Sequence, residues 1–191
     1  DLNLTGDHQK LSSEVVCALK MALYTGLRDY SIRAARWGEI DFDRLVWTVP
    51  ASRMKSRREH EVPLPTQAVT ALRQLKPLTF DGPGSSIFAS ASKHGHLAEN
   101  TLRKALHRLG YKVTVHGMRS LITDVLNERG FRSDLIERQL DHLERSSVRA
   151  AYLRTSFLEQ RRDAMQWFAD WCDGKGNHPA SNNVVLMKVR P

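Results

Sequence analysis

Cysteine is scarce in this chain, and neither of its two cysteines belongs to a recognisable motif. Cys17 and Cys172 lie far apart in the 191 residues, outside any Cys-x-x-Cys spacing. This pattern excludes a disulfide framework and the common structural zinc sites. Such sparse cysteine is typical of proteins of the reducing cytosol, so we expect a cytoplasmic location.

Long apolar runs and nucleotide-binding loops are also missing. No stretch approaches the ~20 apolar residues of a membrane span, and no signal peptide is visible. Neither Gly-x-x-x-x-Gly-Lys-Ser/Thr nor Gly-x-Gly-x-x-Gly occurs, so we expect no cofactor and no step driven by nucleotide hydrolysis. The chain begins with Asp1 rather than Met, and we expect it to be part of a longer protein.

Acidic residues are outnumbered by basic ones. The chain has 29 lysines and arginines against 21 aspartates and glutamates, which gives a net charge of +8. A balance of this sign favours a polyanionic partner, nucleic acid above all. Hydrophobic residues make up 41% of the chain, so it is long and apolar enough to bury a core.

Apolar periodicity predicts mostly helices. We expect a helix at residues 11–28, capped by Ser12 or Ser13, and a short one at 31–37. Further helices are predicted at 66–75, 98–110, 117–130, 132–143 and 145–171, with Gly110 and Gly130 at helix ends.

Alternation of β-forming residues predicts a small sheet. Strands are expected at 41–50 and 59–64, joined by a basic hairpin tip at 52–58, with a third edge strand at 87–89. The predicted fold class is therefore α+β, mainly α: a helical bundle with a small antiparallel sheet. We expect one domain at residues 1–173, followed by a linker and tail at 174–191.

Clusters of metal-ligand type are weak in this sequence. His94 and His96 lie in a polar loop, which favours a surface pair over a metal site. Glu39, Asp41 and Asp43 suggest a two-metal nuclease, but their place at the edges of a strand favours solvated turn carboxylates. We therefore expect no bound metal.

Five other elements follow one another in a distinctive order. They are Thr25-Gly26-Leu27-Arg28, Lys55 in the hairpin, His116-Gly-Met-Arg119, a second histidine at 142, and Tyr152 ten residues later. Over residues 12–173 the chain resembles the tyrosine recombinases, in particular integrases of phages and genomic islands. The resemblance implies the DNA breaking-rejoining fold and site-specific recombination that integrates or excises a mobile element.

The resemblance also implies a role for each element. Arg28 and Arg119 offer planar forks of N–H donors to the scissile phosphate, and His142 adds a third phosphate contact. Tyr152 is the nucleophile that forms a 3′-phosphotyrosine. His116 assists its deprotonation and Lys55 protonates the leaving 5′ oxygen.

Duplex DNA carrying an attachment site is the expected partner. Basic residues that flank this machinery are predicted to contact DNA: Arg53, Arg57, Arg58, Arg149 and Arg154. The resemblance further implies a homotetramer on DNA, and we expect the isolated domain to be a monomer.

Other interpretations of the same residues remain open. Arg28 could neutralise the last carbonyls of its helix, His116 could be a core or capping residue, and His142 could cap a helix. At the level of function, the alternatives are a non-catalytic basic DNA-binding module and a metal-independent ribonuclease that uses the two histidines and Lys55.

Two positions depart from the family pattern. Ser31 stands where an acidic residue usually supports the first arginine, so Asp29 or Glu39 would have to substitute. Asp141 stands where a glycine commonly precedes the second histidine. Its carboxylate could steady His142, or it could weaken phosphate binding by like charge.

Overall fold

A computed structural model of the protein describes residues 11–142 and 156–175. Its first helix, α1, spans Ser13–Thr25 and begins at Ser12, whose side chain accepts a hydrogen bond from the Val15 N–H. The helix ends at Gly26, which has a φ of +66° and donates to the Ala22 carbonyl. The predicted continuation to residue 28 is therefore wrong, because a left-handed glycine stops the helix.

Helix α2, Asp29–Arg33, begins directly after Arg28. It is shorter and starts earlier than the predicted helix at 31–37. A single 3₁₀ turn at Trp37–Glu39 then leads into the sheet.

Three antiparallel strands form the sheet, in the order β1 (Ile40–Asp41), β2 (Val46–Val49) and β3 (His60–Pro63). The predicted strand at 41–50 is split by a turn, in which the Asp41 carboxylate accepts from the backbone N–H groups of Asp43 and Arg44. The predicted edge strand at 87–89 is wrong. That region makes only isolated bridges, Arg36 with Ser86 and Ala89 with His96, and the third strand is β1.

The remaining described helices confirm the predicted pattern with shifted ends. They are α3 (Thr66–Thr79), α4 (Thr101–Arg108), α5 (Val115–Arg129), α6 (Ser133–Gln139) and α7 (Leu158–Cys172). Gly130 ends α5 with a φ of +89°, as its position in the sequence predicts. The predicted continuous helix at 145–171 is wrong at residues 156–157, because Phe157 has a φ of +50° and the helix begins only at Leu158. The part of that prediction before Ser156 lies outside the described residues, as does the tail beyond residue 175.

Helix α1 is the centre of the bundle and packs against α2, α3, α4, α5 and α7. The main core surrounds Leu19, Trp47 and Phe88, all fully buried. A second cluster joins α5, α6 and α7 through Ile122, Leu140 and Phe168. The architecture is thus mainly helical with one small antiparallel sheet, which confirms the predicted fold class. No helix in the described part of the chain is both long and apolar enough to cross a membrane.

Candidate active site

Arg28 lies in the short connection between α1 and α2, at the N-cap position of α2. Its side chain is 31% exposed. The guanidinium reaches Asp141, where Nη1 lies 3.3 Å from the carboxylate oxygen Oδ2 and Nη2 lies 3.5 Å from the backbone carbonyl. Arg28 is therefore held from a distant part of the chain and still has a solvent-facing surface.

Arg119 lies on α5 and is almost completely buried, with 4% exposure. Its two terminal nitrogens donate to the carbonyls of Gly26 and Leu140, the latter at 2.7 Å. Burial and, to a smaller extent, the positive charge of Arg28 lower the pKa of Arg119 to about 10, whereas the charges of Asp141 and Glu137 oppose the shift. The guanidinium stays protonated at neutral pH, and its bonds to the Gly26 and Leu140 carbonyls place it beside the segments that carry Arg28 and its partner Asp141.

The turn that follows α6 brings both arginines together. Its carbonyl at Leu140 binds Arg119, and the next residue, Asp141, binds Arg28. Asp141 has a φ of +51°, a conformation that Asp and Asn adopt more readily than most other residues. Carbonyls at the end of a helix also carry partial negative charge, which favours cations at this point.

His142 completes this turn and is exposed. Its backbone N–H donates to the Glu137 carbonyl at 3.0 Å, and its ring Nδ1 lies 2.7 Å from the Glu137 carboxylate. The ring partner is thus Glu137, whereas the carboxylate of Asp141 contacts Arg28. Arg28, Arg119 and His142, which were predicted from three separate motifs, meet around one turn.

His116 lies in the first turn of α5 and is exposed. It is neither a core residue nor the cap, because Thr114 caps the helix by accepting the Gly117 N–H at 3.0 Å. His116 lies three positions before Arg119, so the two residues are neighbours on the surface of α5.

The basic hairpin tip presents Lys55, Arg57 and Arg58 to solvent. Its neighbour Met54 is buried and anchors the tip. The Ser31 hydroxyl donates to the Arg53 carbonyl at 2.9 Å, which fixes the hairpin to α2 just after Arg28. The hairpin is therefore tied to the segment that carries the first arginine.

Arg53 differs from the other basic residues of the hairpin because its side chain points inward and is 7% exposed. It pairs with Glu39 and donates to the Ser31 carbonyl at 3.1 Å. Asp29 pairs with Arg33 at 2.6 Å. Glu39 and Asp29, the predicted substitutes for the acidic support of Arg28, are thus engaged elsewhere.

Tyr152, Arg149 and Arg154 lie outside the described residues, so their predicted roles stay predictions. The described chain resumes at Ser156, and its carbonyl accepts a hydrogen bond from Nε of Arg161 at 2.9 Å. This hydrogen bond fixes the backbone at Ser156, two residues before α7 begins.

Sequence analysis missed a buried polar network behind the arginines. Arg161, 1% exposed, donates to the Glu61 carbonyl and to the Gln139 side chain, and Gln139 donates to the Thr25 carbonyl at 2.8 Å. The buried ring of His60 lies 3.0 Å from the Gln139 carbonyl. The network connects β3, α6 and α7 to the end of α1.

Burial is the main cause of unusual protonation in this network. It lowers the pKa of His60 to about 4, with a further contribution from the charge of Arg161. It also lowers the pKa of Arg161 to about 10.

The sequence did carry a signal for the two network residues on helices. Gln139 follows Leu135 and Ile136 at helical spacing. Arg161 precedes a buried stripe in the same way: Ala164, Met165 and Phe168. A polar residue on an apolar stripe indicates a buried polar contact.

Within residues 11–142 and 156–175, no group of three or more His, Cys, Asp or Glu side chains is arranged to hold a metal ion. The rings of His94 and His96 stack with centroids 5.7 Å apart. Glu39, one of the carboxylates considered above, accepts from the Trp47 indole at 3.0 Å in addition to pairing with Arg53.

Comparison with known proteins identifies similar chains. Residues 2–159 match the phage integrase family. Prophage integrase IntA of Escherichia coli K12 is 42% identical over 163 residues, which cover 84% of this chain and 39% of that protein. The integrase of Enterobacteria phage P4 is 42% identical over 190 residues, covering 88% of this chain and 42% of that protein. The chain thus spans about two fifths of the length of these relatives.

Solved structures of low sequence identity share the fold. The integrase from mycobacterium phage Brujita superposes with a TM-score of 0.64 at 18% identity, over 82% of this chain and 52% of that one. The Tn1549 transposon integrase, in complex with transposon right end DNA, gives a TM-score of 0.55 at 17% identity, over 74% of this chain and 58% of that one.

Proposed function

We propose that this chain, which belongs to the phage integrase family, carries the catalytic centre of a tyrosine-type site-specific recombinase. It cuts and rejoins double-stranded DNA at attachment sites and so integrates or excises a mobile element. The observation that supports this most is the meeting of Arg28, Arg119 and His142 at the turn after α6. Three residues that the sequence distributes over more than a hundred positions are thus part of one turn or bonded to it, and we propose that they act on the same phosphate.

The electrostatics of this turn suit phosphoryl transfer. Arg28 offers a partly exposed guanidinium whose remaining N–H groups can bind the nonbridging phosphate oxygens. Arg119 lies buried beside it, and its charge is little screened by water. A preorganised positive field of this kind stabilises the charge that develops in the transition state.

The proposed reaction balances without a cofactor. The Tyr152 oxygen attacks the phosphorus as the bond to the 5′ oxygen breaks, which leaves a 3′-phosphotyrosine and a 5′-hydroxyl. The phenol has a reference pKa of ~10, so His116 assists removal of its proton. Lys55 gives a proton to the 5′ oxygen. Attack by a 5′-hydroxyl on the phosphotyrosine then reverses these transfers and rejoins DNA.

The exposed hairpin residues Arg57 and Arg58 are proposed to contact the DNA backbone, together with Arg149 and Arg154. Contacts of this type add affinity that falls steeply with salt. For Arg53 the inward contacts favour a role in fixing the hairpin. The proposed function further places the protein in the cytoplasm, where it acts as a homotetramer on its DNA sites.

Covalent trapping tests this function. The chain is incubated in EDTA with a nicked suicide duplex that carries the attachment sequence, and a denaturing gel reveals any protein–DNA adduct. We expect an adduct in the wild type that disappears in Tyr152→Phe. Cleavage that needs a ribose 2′-hydroxyl and forms no adduct would instead support the alternative function, a metal-independent ribonuclease.

Tyr30→Phe is the matched control. Tyr30 is 53% exposed and lies two residues after Arg28, so it is an accessible phenol near that arginine. An adduct that survives Tyr152→Phe and is lost in Tyr30→Phe would assign the nucleophile to Tyr30. No adduct in any variant would leave a DNA-binding module as the better interpretation.

A further inference from the structure

We infer that Asp141 is a positioning residue that orders Arg28 beside Arg119 before the phosphate binds. The inference rests on the proposed function, because it assigns the two arginines to one phosphate. Asp141 touches Arg28 with both its carboxylate and its carbonyl. A side chain held by two acceptors on one residue loses most of its freedom to swing into solvent.

The need for a carboxylate follows from the charges at this turn. Arg28 and Arg119 are like charges close enough that Arg28 contributes to the lowered pKa of Arg119. Without a counter-charge, the exposed member of the pair would turn outward, since Arg119 is buried and fixed by the Gly26 and Leu140 carbonyls. The Asp141 side chain, 14% exposed, supplies that counter-charge from within the fold.

Other carboxylates near the site are engaged with different partners. Asp29 pairs with Arg33 and Glu137 lies against the ring of His142. Glu39 is bound to Arg53. Among the residues that the structure describes, the carboxylate in contact with Arg28 is that of Asp141.

A positioning role predicts that a change at Asp141 lowers the rate of strand cleavage without lowering the affinity for DNA. Removal of the negative charge leaves Arg28 mobile, so strand cleavage should slow by about tenfold to a hundredfold, the usual effect of misplacing a reacting group. DNA affinity should stay the same or rise, because one negative charge beside the phosphate is gone. A residue that only maintained the fold would lower thermal stability and weaken both properties together.

Three variants make the test. Asp141→Asn removes the charge at nearly constant shape, and Asp141→Gly removes the side chain at a φ of +51° that glycine adopts without strain. Asp134→Asn is the control, because Asp134 also pairs with an arginine, Arg132, but at the other end of α6. Each is measured for single-turnover adduct formation, for DNA affinity in a Tyr152→Phe background, and for melting temperature.

A fourth measurement follows Arg28 itself through the ¹⁵N guanidinium resonances of the DNA-free protein, assigned with Arg28→Lys. We expect a distinct Arg28 signal in the wild type and in Asp134→Asn. In both Asp141 variants, this signal should move to the position of the signals from solvent-exposed arginines. We also expect slow cleavage with unweakened DNA binding in those variants.

The inference would be overturned by an unchanged Arg28 signal in both Asp141 variants, or by a cleavage rate within about twofold of the wild type. Equal losses of rate and affinity with a lower melting temperature would also overturn it, in favour of a purely structural role. If the wild type forms no adduct, the proposed function fails on that ground alone, and the Arg28 signal still decides whether Asp141 orders the arginine.

Discussion

Replacing the buried histidine of the network should remove a pH dependence of stability. His60 is 6% exposed, and burial together with the charge of Arg161 lowers its pKa to about 4. In the unfolded chain, its pKa returns to about 6.5. Between these two values the unfolded state binds a proton that the folded state does not, so acidification favours unfolding.

The magnitude follows from the size of the shift. The contribution of His60 to the free energy of unfolding has its full value above pH 6.5. It falls by up to about 1.4 kcal/mol per pH unit as the pH drops towards 4. The total approaches about 3 kcal/mol. For a chain of this size, that corresponds to a decrease in melting temperature of roughly 6–12 °C.

Differential scanning calorimetry of His60→Gln between pH 7.5 and 4 measures this effect. Glutamine can still donate an N–H to the Gln139 carbonyl, but it does not titrate. We expect the variant to lose less stability on acidification than the wild type, by the amount given above. His107→Gln, at an exposed position of α4, should follow the wild type. Parallel curves for the wild type and His60→Gln would refute the assigned protonation of His60.

Two further substitutions test the packing behind the arginines by urea unfolding. Arg161→Met should destabilise the fold by about 3 kcal/mol, since it leaves one buried and two partly buried acceptors without their donor. Arg103→Met, on the exposed face of α4, should cost less than about 0.5 kcal/mol, and equal losses would contradict the assignment. Gly26→Ala should cost about 1–3 kcal/mol, because the added methyl would lie 2.6 Å from a Leu140 methyl at a φ of +66°. It should also slow adduct formation, since the Gly26 carbonyl binds Arg119; an unchanged rate and stability would show that the turn adapts freely.

The helices were predictable because their signals are local. Ser12 begins α1 with a side-chain cap, and Gly130 ends α5 in the left-handed conformation, as residues of these types at such positions indicate. The errors at helix ends have the same origin. Because Gly26 stops it, α1 ends at Thr25, three residues before the predicted end, and this interruption turns Arg28 away from the helix.

The sheet was harder to predict because its pairing is not local. The alternating stretch at 41–50, rich in β-forming residues, hid a turn in which the Asp41 carboxylate accepts from two backbone N–H groups. In the apolar segment at 87–89, Ile87 and Phe88 are buried, and the Ile87 N–H donates to the Ala35 carbonyl. Composition alone does not distinguish such a segment from a strand.

The candidate site also combines features that the sequence predicts with features that it does not. The resemblance to the family, carried by motifs in a particular order, identified Arg28, Arg119 and His142, and the structure connects these three through one turn. The groups that hold the arginines are largely backbone carbonyls, those of Gly26 and Leu140. Carbonyls have no residue-type signature, so the sequence offered no means of finding them.

The two departures from the family pattern become one feature in three dimensions. Ser31 and Asp141 are distant in sequence and read as two separate losses, of an acidic support and of a glycine. In the structure, the carboxylate at 141 reaches Arg28, while the Ser31 hydroxyl ties the hairpin to α2. Support for Arg28 therefore comes from the turn after α6, which also binds Arg119 and presents His142. Because one turn carries all three contacts, any shift of α6 moves both arginines and the histidine together, and the three should respond to DNA as a unit.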